Sequence, residues 1–123
     1  MKIVVIIARI LLGLTFFVFG LNGFLHFIPA PPPSGMAANF VGVLVASNYY
    51  VVVFGVQVIA GAMLLLGKYV PLALVLVAGL LVNILTFHIT MQPAGLPPGL
   101  IATVLWFIVA YSVRDRFASL LAS

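Results

Sequence analysis

Two histidines and three side-chain amides carry the chemistry that this sequence can offer inside its long apolar stretches: His26, His88, Asn22, Gln57 and Asn83. Each can be neutral, and each can both donate and accept hydrogen bonds. Two imidazoles at one depth of a membrane bundle could ligate a haem iron from both sides or contribute to a metal site. Haem would require the two rings to face each other across a large cavity. A metal site built on two histidines, with no carboxylate or thiol beside them, has too few donors, so no metal is expected. A quinone head group asks for less, because a neutral imidazole or an amide can donate one hydrogen bond to a carbonyl without placing a charge in lipid. The plain alternative is two interfacial histidines hydrogen-bonded to backbone or water.

Helical periodicity sorts these residues onto faces. At about 100° per residue, Thr15, Asn22 and His26 share one face of the first apolar helix, and Gly13 and Gly20 collect on the opposite face with Phe24 and Phe27. On the third helix Gly79, Asn83, Thr86 and Thr90 form one stripe, with His88 and Gln92 displaced from it. Gln57 and Gly61 lie one turn apart on the second. Counted from Lys68 at 1.5 Å per residue, Gln57 is about 16 Å and Asn83 about 22 Å deep. The two amides are therefore expected to pair near mid-membrane, as interhelical glue or as a polar spot for a small ligand. Small residues let helix backbones approach closely, so Gly13, Gly20, Gly61 and Gly79 are expected at helix contacts. Arg9 is placed to snorkel to the interface, and Trp106, in mid-span, to pack inside the bundle.

The elements that must position these side chains follow from composition. Of 123 residues, 66% are hydrophobic and 5% charged, whereas a soluble domain needs about a quarter charged to cover its surface. The solvent is lipid. The spacing predicts an all-α integral membrane four-helix bundle, a single domain over residues 1–123 with spans at about 3–28, 49–67, 69–90 and 98–113. A proline-rich outer loop follows the first span, and Met36–Ser47, too short to cross, is expected as an interfacial helix. Lys2, Arg9, Lys68, Arg114 and Arg116 all fall at one side of that arrangement, which predicts both termini in the cytoplasm. All four tyrosines, Tyr49, Tyr50, Tyr69 and Tyr111, fall at predicted boundaries, where tyrosine is favoured. Ile3–Ile28 is longer than the apolar stretch of a signal peptide and is interrupted by Arg9, so cleavage is not expected. The net charge of +4 is this sidedness bias plus a short basic tail, and no nucleic-acid partner is implied. With no cysteine, the chain can form neither disulfides nor iron–sulfur ligation of its own.

Three blocks resemble the DoxX family over nearly the whole chain. The first is Ala8-Arg9-Ile10-Leu11-Leu12-Gly13-Leu14, continuing through Phe16 and Gly20 to Asn22-Gly23-Phe24-Leu25-His26-Phe27. The second is Val56-Gln57-Val58-Ile59-Ala60-Gly61 with Leu64-Leu65-Leu66-Gly67, and the third is Val82-Asn83-Ile84-Leu85-Thr86-Phe87-His88. Many members carry glutamate where this chain has Gln57, so a proton relay at that position has no acid to work with here. The resemblance implies a small four-helix membrane protein, some relatives of which are described as subunits of quinone-linked or redox-stress oxidoreductase complexes.

The leading expectation is a DoxX-type bacterial inner-membrane protein, non-catalytic or quinone-proximal, beside a membrane or soluble redox partner in the lipid bilayer. Its candidate ligand-binding residues are Asn22, His26, Gln57, Asn83 and His88; quinone is the candidate ligand, haem is not expected, and a homo-oligomer is compatible. A small transporter or channel-like subunit is the alternative. Proton-coupled exporters of this size depend on a membrane-embedded carboxylate, and the only acid here is Asp115 in the tail. A structural assembly factor is the third reading.

Overall fold

The computed structural model describes residues 2–27 and 34–121, and among these all regular structure is helical. In order, the elements are α1 (Lys2–Leu25), α2 (Gly35–Ala46), α3 (Tyr49–Leu66), α4 (Val70–Met91), a 3-10 turn (Pro93–Gly95), α5 (Leu96–Ser112) and α6 (Arg114–Leu121). Hydrocarbon offers backbone groups no partner, so apolar segments satisfy them internally as helices. Three helices, Lys2–Leu25, Tyr49–Leu66 and Val70–Thr90, are long and apolar enough to cross a membrane; α2 and α5 are apolar but shorter. The core of the proline-rich run, Pro29–Pro33, lies outside the described residues.

Helix α1 packs along α3 and α5, and α4 packs along the same two neighbours, while α2 rests on α3 and α4. The shared core draws Leu12 and Phe16 from α1, Ala60 and Leu64 from α3, Leu74, Val77 and Leu81 from α4, and Ala102 and Val109 from α5. Large apolar side chains such as Ile3, Val52, Val82 and Phe107 are exposed, which suits a lipid-facing surface. Trp106 donates its indole N–H to the Leu74 carbonyl at 2.8 Å, tying α5 to α4.

The α1–α3 seam is the closest approach. A Cβ built on Gly13 would lie 3.0 Å from the Gly61 carbonyl oxygen, and one on Gly61 would lie 2.8 Å from the Gly13 oxygen. Gly20 meets the Val58 backbone in the same way, at 2.9 Å. These three glycines stand at the contacts expected of them. Gly79 does not: it is exposed on α4 and nothing lies within 4 Å of where its Cβ would be. That face of α4 is turned away from α3 and α5.

Two helix ends differ from expectation in instructive ways. The first span was expected to reach Ile28, but α1 stops at Leu25, where His26 adopts φ +53 after a last helical bond to Asn22 at 2.8 Å. At the other end, α3 closes on Gly67 (φ +69), whose N–H bonds Leu64 while that of Lys68 bonds Met63, the paired return that a left-handed glycine makes possible. Arg9 reaches this corner. Its guanidinium donates to the Leu64 carbonyl at 2.6 Å, so the cation sits at the negative end of α3 and pins α1 to it.

Candidate functional site

A partly enclosed cavity of about 580 Å³ lies between the helices. Its α1 wall is Thr15, Phe16, Phe19, Asn22, Gly23 and His26, a stripe with the three- and four-residue spacing of one helix face. Tyr50, Phe54 and Gln57 come from α3, and Leu81, Ile84 and His88 from α4. Pro98, Gly99 and Ala102 line it from α5, with Gly95 at the turn and Val41 and Val45 of α2 above. All the α1 and α4 residues lie in the C-terminal halves of their helices, and those of α3 and α5 in the N-terminal halves. The cavity therefore occupies one end of the molecule, opposite the end that carries Lys2, Arg9 and Lys68. Aromatic contacts hold its rim: Phe24 meets Phe54 edge-on at 6.4 Å and Tyr50 in a tilted arrangement at 6.1 Å, and Phe40 of α2 meets Phe87 of α4, also tilted, at 5.2 Å.

Within a mostly apolar lining, Gln57 is the polar residue that is buried among the described residues, only 6% exposed. Among the described residues its side-chain amide makes no hydrogen bond, yet every fully enclosed side-chain nitrogen or oxygen has a partner. The amide therefore opens onto the cavity it lines. An unpaired amide in such surroundings costs about 1–3 kcal/mol, which a ligand's polar edge would recover. The half-buried His88 ring holds its Nδ1 2.8 Å from the Ile84 carbonyl oxygen. A carbonyl only accepts, so Nδ1 carries the proton. The opposite edge of the ring lies on the backbone of Gly95, where any Cβ would stand 2.6 Å from Cδ2 and 2.8 Å from Nε2. Thr15, also at the cavity wall, donates to the Leu11 carbonyl at 2.8 Å. His26, at the α1 terminus, is exposed at the rim.

The fold thus gathers Asn22, His26, Gln57 and His88 around one cavity and leaves Asn83 outside it. Asn83 is exposed, and its amide donates to the Gly79 carbonyl on its own helix at 2.9 Å. Thr86 and Thr90 back-bond in the same way, to Val82 at 2.7 Å and Thr86 at 2.6 Å. The expected Gln57–Asn83 pair does not form. Five residues separate Asn83 from His88, a rotation of about 140° at 3.6 residues per turn, so when His88 faces the cavity Asn83 faces away. The aromatic lining and the two glycines, Gly95 and Gly99, were not singled out from the sequence. The three- and four-residue spacing of Phe19 with Thr15 and Asn22 was the available signal for the α1 wall; the glycines had none.

A small bundle of apolar helices, enclosing a cavity whose described lining holds no acid, lysine or arginine, defines a multi-pass membrane protein with room for a small ligand. Among the described residues no three histidines, cysteines or acids cluster. The DoxX family model matches residues 4–90, from the start of α1 to the end of α4, and the chain belongs to that family. Comparison with curated proteins and comparison with solved structures each return no match. Gly95 and the α5 wall of the cavity lie beyond the matched segment.

Proposed function

We propose that this protein is a non-catalytic, quinone-proximal subunit of a bacterial inner-membrane redox system, crossing the bilayer four times with both termini cytoplasmic. The unpaired Gln57 amide, buried in an aromatic and aliphatic cavity large enough for a substituted ring, is the observation that carries this reading. The Gln57 amide holds the polar edge of the head group, with His88 beside it and Asn22 and His26 toward the mouth, and the Phe16, Phe19 and Phe54 rings cover its faces. With no acid at the site, the protein's part is to hold the ring close to a redox partner in the membrane or at its surface, which performs the electron transfer. The four-span arrangement draws on α5, whose 17 residues extend about 26 Å at 1.5 Å per residue, and on the single-sided placement of the basic residues.

The test is extraction and chromatography of quinones from the purified protein, followed by titration with a short-chain benzoquinone in detergent. Gln57→Leu should weaken binding about tenfold or more, since one hydrogen bond at a buried amide is lost. Asn83→Leu should leave it unchanged. Absence of measurable binding to the unaltered protein, or equal binding to both variants, would refute the reading.

A further inference from the structure

The proton on His88 decides which redox form the cavity prefers. With Nδ1–H committed to the Ile84 carbonyl at 2.8 Å, the neutral ring presents a bare Nε2 as an acceptor. Among the described residues Nε2 has no hydrogen-bond partner, and since no fully enclosed side-chain nitrogen lacks one, it keeps some access where His88 and Gly95 meet at the cavity wall. A ligand carbonyl offers that nitrogen only lone pairs. A hydroxyl offers it a proton.

We propose that His88 makes the cavity selective for ligands that present a hydroxyl donor, so that it holds the hydroquinone member of a quinone pair, or a comparable phenol, in preference to the carbonyl form. This rests on the reading of the cavity as a quinone site and adds the direction of its selectivity. The other polar groups at the wall do not oppose it. The Gln57 amide has a donor and an acceptor and can turn to suit either form, as can the hydroxyl of Tyr50. His26, exposed at the rim with no carbonyl fixing its ring, can take either tautomer. Of the described lining residues, His88 and Thr15 have their protons committed to a backbone carbonyl, at Ile84 and Leu11, and neither then has a donor left for the ligand. Gly95 completes the device. Its missing side chain lets the Cδ2–Nε2 edge rest on the turn, and a methyl there would stand 2.8 Å from Nε2 and displace the ring.

Purified protein in detergent is titrated under argon with a short-chain benzohydroquinone, the matching benzoquinone, and the hydroquinone dimethyl ether, which keeps the ring and oxygens but has no donor. The hydroquinone should bind about tenfold tighter than either of the others, a difference of about 1.4 kcal/mol. In His88→Phe the hydroquinone should lose its advantage and bind no tighter than the quinone, with the melting temperature of the variant confirming that it folds. Nitrogen NMR of the labelled histidines in the unaltered protein should show a ring protonated at Nδ1 and bare at Nε2. Equal affinity for the two redox forms, tighter quinone binding, or a ring bare at Nδ1 overturns this inference and leaves the quinone site standing. If neither form binds, the quinone site itself falls, and this inference with it.

Discussion

Replacing Gly61 with alanine adds one methyl group at the point where α1 and α3 touch through their backbones. That methyl would stand 2.8 Å from the Gly13 carbonyl oxygen and 2.8 Å from Phe17 Cα. Carbon atoms rest at about 3.5–4.0 Å, so α1 must withdraw by about 0.7 Å or more. A gap of that size forfeits about a quarter to a half of each contact's attraction, and the loss runs along the seam past Gly13 and Gly20 because the helix moves as a rod. Overpacking of this kind costs about 1–3 kcal/mol. The same substitution at Gly79 meets nothing within 4 Å, and there alanine should gain about 0.5–1 kcal/mol, the amount by which it exceeds glycine in a helix interior. Two chemically identical changes should therefore separate by about 1.5–4 kcal/mol, in opposite directions. Reversible unfolding in mixed micelles, followed by circular dichroism, reads the difference directly. If both variants shift the midpoint the same way, or Gly61→Ala leaves it in place, the account of the seam is wrong.

Three other outcomes follow from the packing. Arg9→Met removes the 2.6 Å bond to the Leu64 carbonyl and should cost about 1.5–3 kcal/mol, as for a bond to a charged group. Because a methyl on Gly67 would also press on the Arg9 guanidinium, at 2.6 Å from Nη1, Gly67→Ala should cost less in the Arg9→Met background. A double-mutant cycle giving additive costs would count against that coupling. Trp106→Phe should lose about 1 kcal/mol with the indole bond to Leu74, and an unchanged unfolding midpoint would mean the bond contributes nothing. For the proposed orientation, a membrane-impermeant thiol reagent applied to intact cells should label Ser34→Cys and spare Lys68→Cys; the reverse would invert it.

Much of the helical framework was legible in the sequence because lipid makes each span a local problem. A run such as Tyr49–Leu66 must satisfy its own backbone whatever its neighbours do, so its length and hydropathy suffice to place it. The same holds for the tight turn at Gly67-Lys68-Tyr69 and for the proline pair opening α5, where Pro97 and Pro98 occupy positions that need no donor. The stop at Leu25 was read three residues late, since His26 and Phe27 suit a membrane helix and nothing local marks His26 for φ +53.

Facing was another matter. Periodicity put Thr15, Asn22 and His26 on one face of α1, and that face lines the cavity, but it could not say which of the two polar sides of α4 looks inward. Asn83 and His88 carry equal polarity in the sequence; the azimuth at which α4 meets α3 and α5 turns one to the cavity and leaves the other to bond its own helix. Gly61 and Gly79 are likewise the same residue in similar apolar surroundings, separated only by what stands opposite. Arg9 read as a cation near an interface, and it took the position of the α3 terminus to make it a helix cap. Composition and local periodicity fix what each helix must do for its own backbone, whereas the partner of every side chain depends on the relative rotation of helices, a quantity that no single helix contains.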